Sequence, residues 1–181
     1  AGESFAQRRL VGVFGNLDLS YKSILFITAT ARNDWRSTLP KGNNSFFYPG
    51  VNTSFIFTEL LPKLNRVLSY GKLRFSWTRV GNDAPPYSIY NVFVTGGHSD
   101  GFGFLRYPLP NGVNSYEVSN LIGNEDLKPE LTSEIEVGTD IRLFNNRIGI
   151  DFTYYDKTTT NLIWPAPLSP STGFGSKTIN L

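Results

Sequence analysis

The chain has 181 residues and a formal net charge of +2, and 14% of its residues are aromatic. A balance this close to neutral excludes the basic field of a nucleic-acid binder, and the absence of Cys excludes disulfides, thiolate catalysis and Cys-ligated metals. The absence of Met implies a processed product or a fragment, no charged leader followed by an apolar run opens the chain, and runs such as SILFITATA are too short and polar for a membrane helix, though not for a strand of about 9–11 residues.

Period two dominates, and Val, Ile, Thr, Phe and Tyr fill the periodic segments. A first strand is expected from Ala6 to Ser20, with Val11, Val13, Leu17, Leu19 and Tyr21 on one face and Asn16 and Asp18 on the other. After a short turn at Tyr21-Lys22-Ser23, a second strand from Ile24 to Asp34 sets Leu25, Ile27, Ala29 and Ala31 against Thr28, Thr30, Arg32 and Asp34. The loop WRSTLPKGNNS follows. A third strand is expected from Phe46 to Glu59, less regular because Ile56 breaks the alternation. LLPKLNRVLSYG connects it to a fourth strand, Lys72 to Val80, in which Leu73, Phe75 and Trp77 oppose Lys72, Arg74, Ser76 and Thr78. Arg79 falls on the apolar side, which predicts a bulge or the wet end of the strand there.

From Gly81 to about Lys128 the periodicity lapses, and a connection this long is expected to be functional or disordered. A long hairpin then runs from Glu130 to Asp156 around a two-residue turn at Asn145-Asn146. Leu131, Ile135, Val137, Ile141 and Leu143 alternate with Glu130, Glu134, Glu136, Asp140 and Arg142; past the turn, Ile148, Ile150, Phe152 and Tyr154 alternate with Arg147, Asp151 and Thr153. TTTNLIWPAPLSPSTG reads as a Pro-rich loop, and SKTINL as the start of a further strand.

Alternation fits a soluble sandwich as well as a membrane barrel. Length and loop asymmetry separate them. Glu130 to Phe144 would span roughly 50 Å at ~3.3 Å per residue, whereas a common soluble strand has about 5–6 residues. Connections alternate between short and long, as they do on the two sides of an outer-membrane barrel. The expected fold is all-β: an antiparallel transmembrane β-barrel segment of about six or seven strands of a larger barrel with long extracellular loops, since so many charges do not fill a small barrel. The apolar register would face lipid. Arg32, Asp34, Lys72, Arg74, Glu130, Glu134, Glu136, Asp140, Arg142 and Asp151 would face a watery lumen, with Tyr21, Trp77 and Tyr154 in interfacial girdles.

Four stretches carry a family resemblance. NEDLKPELTSEIEVGTD, and within it Leu127-Lys128-Pro129-Glu130 followed by Glu134, Glu136 and Gly138, resembles the motif late in the barrel of TonB-dependent outer-membrane transporters. RRLVGVFGNLDLSYKSILFITATARNDWRS, FFYPGVNTSFIFTE and KLRFSWTRVGND resemble strands of the SusC/RagA branch from Bacteroidota, with Tyr48 where Phe is usual. The resemblance covers nearly the whole chain. It implies a barrel of about 22 strands with an N-terminal plug inside, and nutrient import across the outer membrane of a Gram-negative bacterium. It further implies TonB and a SusD-like surface lipoprotein as partners and oligosaccharides or peptides as substrates. On that reading residues 1–181 are part of one barrel domain, with the plug and the C-terminal closing strand absent. The lumen charges would line the path or grip the plug, the plainer role being a solvated wall of mutual ion pairs.

Loop aromatics are the candidates for ligand or partner contact: Trp35, Tyr87, Tyr90, Phe102, Phe104, Tyr107, Tyr116 and Trp164, whose flat faces stack on sugars or anchor a protein, or simply pack the loops together. His98, the one histidine, lies in a Gly-rich loop without the surroundings of a triad or a zinc site, so no enzyme activity, metal or cofactor is expected. Glu134 and Glu136 are about 6.6 Å apart along a strand, near a glycosidase spacing, but read as wall charge. GFG at 101–103 lacks the context of a nucleotide loop, and NTS at Asn52 is a chance sequon within a strand. The competing reading is a secreted soluble β-domain that binds carbohydrate or acts as an adhesin, followed by a β-rich hydrolase using the Glu pair.

Overall fold

The computed structural model describes residues 5–61 and 67–181. Four strands open the chain: β1 (Leu10–Tyr21), β2 (Leu25–Arg36), β3 (Ser45–Ile56) and β4 (Leu68–Asn82). After a long connection come β10 (Glu130–Leu143) and β11 (Ile148–Thr160). These six form one antiparallel sheet in the order β1-β2-β3-β4-β10-β11. The strands run 12–15 residues, so the length expected of membrane-spanning strands is present. The expected boundaries move by a few residues. Residues 6–9 are not strand. β3 ends at Ile56, where the alternation breaks, and passes into a 3-10 turn at Phe57–Leu60. Part of the connection read at 60–71, residues 62–66, lies outside the described residues.

Pairing carries one set of side chains across the whole sheet. Leu19, Ile27, Thr53, Phe75, Val137 and Tyr154 stand opposite one another in succession, as do Leu17, Ala29, Val51, Trp77 and Ile135. None of these side chains is buried: Phe75 is 45% exposed, Val137 47% and Tyr154 62%. Among the described residues no second sheet covers them. The total surface, 12991 Å², exceeds the roughly 8,800 Å² expected of a compact monomer of this mass. The apolar row is therefore not the inner face of a soluble sandwich in this chain, and the sheet is an open barrel segment.

Trp77 and Tyr154 lie in mid-strand rather than near strand ends, but each is the last apolar residue of its row before a polar one, Arg79 on β4 and Asp156 on β11. They mark the upper limit of the apolar belt. Arg79 stays in register, opposite Ser133, so the wet end lies there and the bulge does not; the one irregularity in the β4–β10 pairing falls between Arg142 and Leu143.

Four further expectations are corrected. The aperiodic stretch from Gly81 to Lys128 contains five short strands: β5 (Phe93–Thr95) pairs with β8 (Tyr116–Val118), β6 (Gly97–Ser99) pairs with β7 (Phe104–Arg106), and β9 (Leu121–Ile122) joins a separate sheet. Segments of two or three residues are too short for a period to be read. The Pro-rich stretch after β11 holds a strand, β12 (Ile163–Pro167); Pro165 and Pro167 are tolerated because β12 is an edge of the sheet β12-β13-β9. β13 (Ser176–Asn180) is the strand expected at SKTINL, but it pairs with β12 and β9 and adds no strand to the barrel sheet. The β10–β11 turn spans 144–147 rather than two residues, and Phe144, Asn145 and Asn146 all take positive φ.

Gly138 shows why a strand interior carries a glycine. A Cβ there would lie 3.1 Å from Thr153 Oγ1 and 3.2 Å from the Arg74 guanidinium. Its absence lets Arg74 reach over β10 from β4 and donate to Asp151 on β11 at 2.7 Å and to Thr153 at 3.2 Å. Gly138→Val is expected to destabilise the full-length protein by about 1–3 kcal/mol. Gly15→Val, where a Cβ meets nothing within 4 Å, should be neutral. Guanidinium midpoints of the heat-modifiable band compare them.

Candidate functional site

The hydrophobic core among the described residues lies at the long-loop end of the sheet, not beneath it. Leu39, Phe46, Ala84, Ile89 and Leu127 are buried together, with Tyr48 and Ile163 packed against them. They come from the β2–β3 loop, the start of β3, both roots of the connection 83–129, and β12. Leu127, fully buried, belongs to the Leu-Lys-Pro-Glu motif of the sequence.

A charged network caps this core. Asp34 is 1% exposed and Asp83 8%. Arg36 stands between them, bonding Asp34 at 3.2 Å through Nη2 and Asp83 through Nη1. Arg32 donates to Asp34 at 2.6 Å, Thr38 donates to Asp83 at 2.8 Å, and Arg8 approaches Asp83 at 3.6 Å. The Arg36 guanidinium also lies over the Phe46 ring, 5.2 Å from its centroid. Two buried carboxylates are tolerable only because each has cationic donors, joined at Asp83 by the Thr38 hydroxyl. The network ties the extended segment before β1, β2, the β2–β3 loop and the end of β4 into one base.

The second root of the connection is locked by amides and one carboxylate. Glu130 accepts from Asn82 Nδ2 at 2.9 Å and from the Ile163 N–H at 2.8 Å. Asn180 accepts from the Lys128 N–H at 2.8 Å and donates to the Lys128 and Asn161 carbonyls at 2.9 and 2.8 Å. The sequence motifs that are separated along the chain thus meet at this base: Arg32 and Asp34, Phe46 and Tyr48, Gly81 and Asp83, Leu127 and Glu130.

The ten charged candidates share one face by register. Arg32 stands opposite Tyr48; Lys72 opposite Asp140, itself opposite Asp151; Arg74, Gly138 and Thr153 form one row; Glu134 faces Thr78 and Lys157, and Glu136 faces Ser76 and Tyr155. Arg32, Asp34 and Glu130 do more than line a wall, since they hold the loop base. Reasoning from the sequence missed Arg36, Thr38, Asp83, Asn43, Asn82 and Asn180. Arg36 continues the parity of Arg32 and Asp34 and becomes visible once β2 is extended by two residues. Asn43, which donates to the Asp126 and Leu127 carbonyls at 3.4 Å, and Asn180 act at long range and leave no local signal.

The aromatic candidates do not converge. Trp35 lies on β2, in the apolar row opposite Val11 and Ser45, not in a loop. Tyr87 and Tyr90 line an uncharged cleft with Pro85, Pro86 and Leu121, and the Tyr87 hydroxyl accepts from the Gln7 N–H at 3.2 Å. Phe102 projects from the β6–β7 tip, Phe104 lies under Arg106, Tyr107 follows β7, Tyr116 is on β8, and Trp164 is on β12 opposite Ile179. His98 pairs with Leu105 on the same ribbon and is exposed. At the tip, Asp100 accepts from the Phe102 and Gly103 N–H groups at 2.9 and 2.8 Å. Those bonds, Gly103 first, hold its carboxyl below the usual carboxylate range.

Residues 3–181 match the family model described as TonB dependent receptor-like, beta-barrel. TonB-dependent receptor P3 of Formosa agariphila is 31% identical over 176 residues, covering 97% of this chain and 17% of that protein. TonB-dependent receptor SusC of Bacteroides thetaiotaomicron is 28% identical over 173 residues, covering 93% and 16%. A solved structure of the RagAB peptide transporter superposes with a TM-score of 0.79 at 22% identity, covering 97% of this chain and 18% of that one. The chain therefore spans about a sixth of the length of the curated relatives it matches.

Arg36→Ala leaves both buried carboxylates short of a cation and is expected to cost about 3–5 kcal/mol. Asp151→Asn, at a side chain 56% exposed, should cost less than about 1 kcal/mol; denaturant midpoints of the full-length protein decide. The Asp100 turn should behave as a depressed-pKa carboxylate does: intact above the unfolded value of about 3.9 and lost as pH falls through its lower folded value. Hydrogen exchange over Gly97–Arg106, corrected for intrinsic rate, should rise there, and Asp100→Asn should remove the pH dependence.

Proposed function

We propose a function on one premise: the chain belongs to the TonB dependent receptor-like β-barrel family, whose members are outer-membrane receptors. The parent protein imports a nutrient across the outer membrane of a Gram-negative bacterium, driven through TonB. This chain contributes an arc of the barrel wall and extracellular loops. The observation that carries the reading is a single six-stranded sheet with an uncovered apolar face and a charged opposite face. The apolar row then meets lipid. The charged row meets water in the lumen, lining the path or holding a plug by charge-assisted bonds.

The similarity to SusC and to the RagAB peptide transporter supports a SusC-like importer working with a SusD-like surface lipoprotein, with oligosaccharides or peptides as substrates. Exposed aromatics on the 83–129 ribbon suit either a sugar face or a protein partner.

Charge placed in the apolar belt tests the orientation. Val137→Arg should destabilise bilayer insertion of the full-length protein by about 2–4 kcal/mol and Ser133→Arg, beyond the belt, by about 0–1; equal effects in folding titrations would refute it. Uptake of labelled oligosaccharide or peptide by cells relying on this importer should collapse when TonB is depleted or the proton gradient is dissipated. Uptake indifferent to both contradicts the transport reading.

A further inference from the structure

Arg79 is the charged residue that the sequence places on the wrong face of β4, and the import reading gives it no task. The pairing Arg79↔Ser133, in unbroken register with Trp77↔Ile135 and Phe75↔Val137, fixes it in the lipid-side row, one step above Trp77. Opposite β3 the pairing ends at Gly50↔Thr78, and the next β3 residue, Pro49, brings no acceptor side chain to Arg79. The Nε of Arg79 is buried and has no hydrogen-bond partner. Arg79 is in none of the ion pairs formed among the described residues. An acid of the same face, Asp156, lies two strands away and one row lower, opposite Ile135. The polar side chains that share its row are neutral: Ser133 and, opposite it on β11, Thr158.

A cation without a protein acceptor, at the upper edge of an apolar belt and next to an interfacial Trp, is placed where lipid head groups lie. A planar guanidinium matches phosphate oxygens in particular, through paired N–H donors. We infer that Arg79 binds the phosphate of an anionic lipid of the outer leaflet, with Trp77 against the head of its acyl chains and Ser133 able to donate a second hydrogen bond. The inference rests on the orientation given under Proposed function. It adds a lipid site outside the barrel that transport itself does not require.

The test uses the full-length protein in nanodiscs, titrated with lipid A carrying its phosphates and with the same lipid after enzymatic dephosphorylation, bound lipid being counted by native mass spectrometry. Wild-type protein should retain the phosphorylated lipid about ten-fold more strongly than Arg79→Gln, a loss of ~1.4 kcal/mol. Arg79→Lys, which keeps the charge but not the fork, should fall between them, and the dephosphorylated lipid should not distinguish the three. Heat-modifiable mobility reports whether each variant is folded. Inorganic phosphate at millimolar concentration should fail to displace the lipid; displacement would overturn the lipid as the ligand. Equal retention by wild type and Arg79→Gln, or an equal loss with both lipids, would overturn the site while leaving the barrel orientation intact. A protein that never enters the bilayer would instead overturn the orientation itself.

Discussion

Everything in this chain depends on cross-strand register. Side chains alternate with period two, so a slip of one residue between neighbours would send every apolar side chain to the charged face. Six strands hold one register, from Leu19 on β1 through Phe75 on β4 to Tyr154 on β11, although β3 and β4 pair only over Gly50–Ile56. The sheet gains no core from this arrangement. On the proposed orientation it gains a division of environments, with lipid on one face and water on the other. In hydrocarbon the backbone groups must be bonded within the protein, and continuous strand pairing supplies those bonds. The charged row is the consequence: it is where acids and bases can stay ionised at little cost.

Register alone does not hold the ends. At the long-loop end, two hidden carboxylates, Asp34 and Asp83, share Arg36, and the small core of Leu39, Phe46, Ala84, Ile89 and Leu127 sits beside them. Such a cluster is a demanding element, because each member is costly once its partner is missing. In return it fixes the roots of the loops. The connection 83–129 leaves the sheet at a clamped Asp83 and returns at a clamped Leu127–Glu130, while its distal ribbon carries the exposed Phe102, Phe104 and Tyr116. A stiff base below an exposed aromatic ribbon allows recognition surfaces to vary without disturbing the strand pairing. Small residues serve the same end within the wall, as where Gly138 leaves room for Arg74 to reach Asp151.

The sequence by itself determined the sheet. Long alternating strands, two faces of opposite character and the hairpin around Asn145-Asn146 are local, repetitive signals, and each strand carries enough residues for the period to stand out. Arg79 marks the wet end expected on β4, whereas Ile56, read as an irregularity within a strand reaching Glu59, is where β3 ends. Only the tertiary structure decided the rest. The short strands β5–β9 are too brief for a period to be read, and β5, β8, β9 and the Pro-bearing β12 owe their conformation to partners that are not their chain neighbours or that follow a loop. The loop base was half legible: Asp34, Leu127 and Glu130 could be picked out, but not that Arg36 joins Asp34 to Asp83, nor that Asn180 clasps Lys128. Those contacts are set by which strands lie side by side, and a single pass along the chain carries periodicity but no distance between strands.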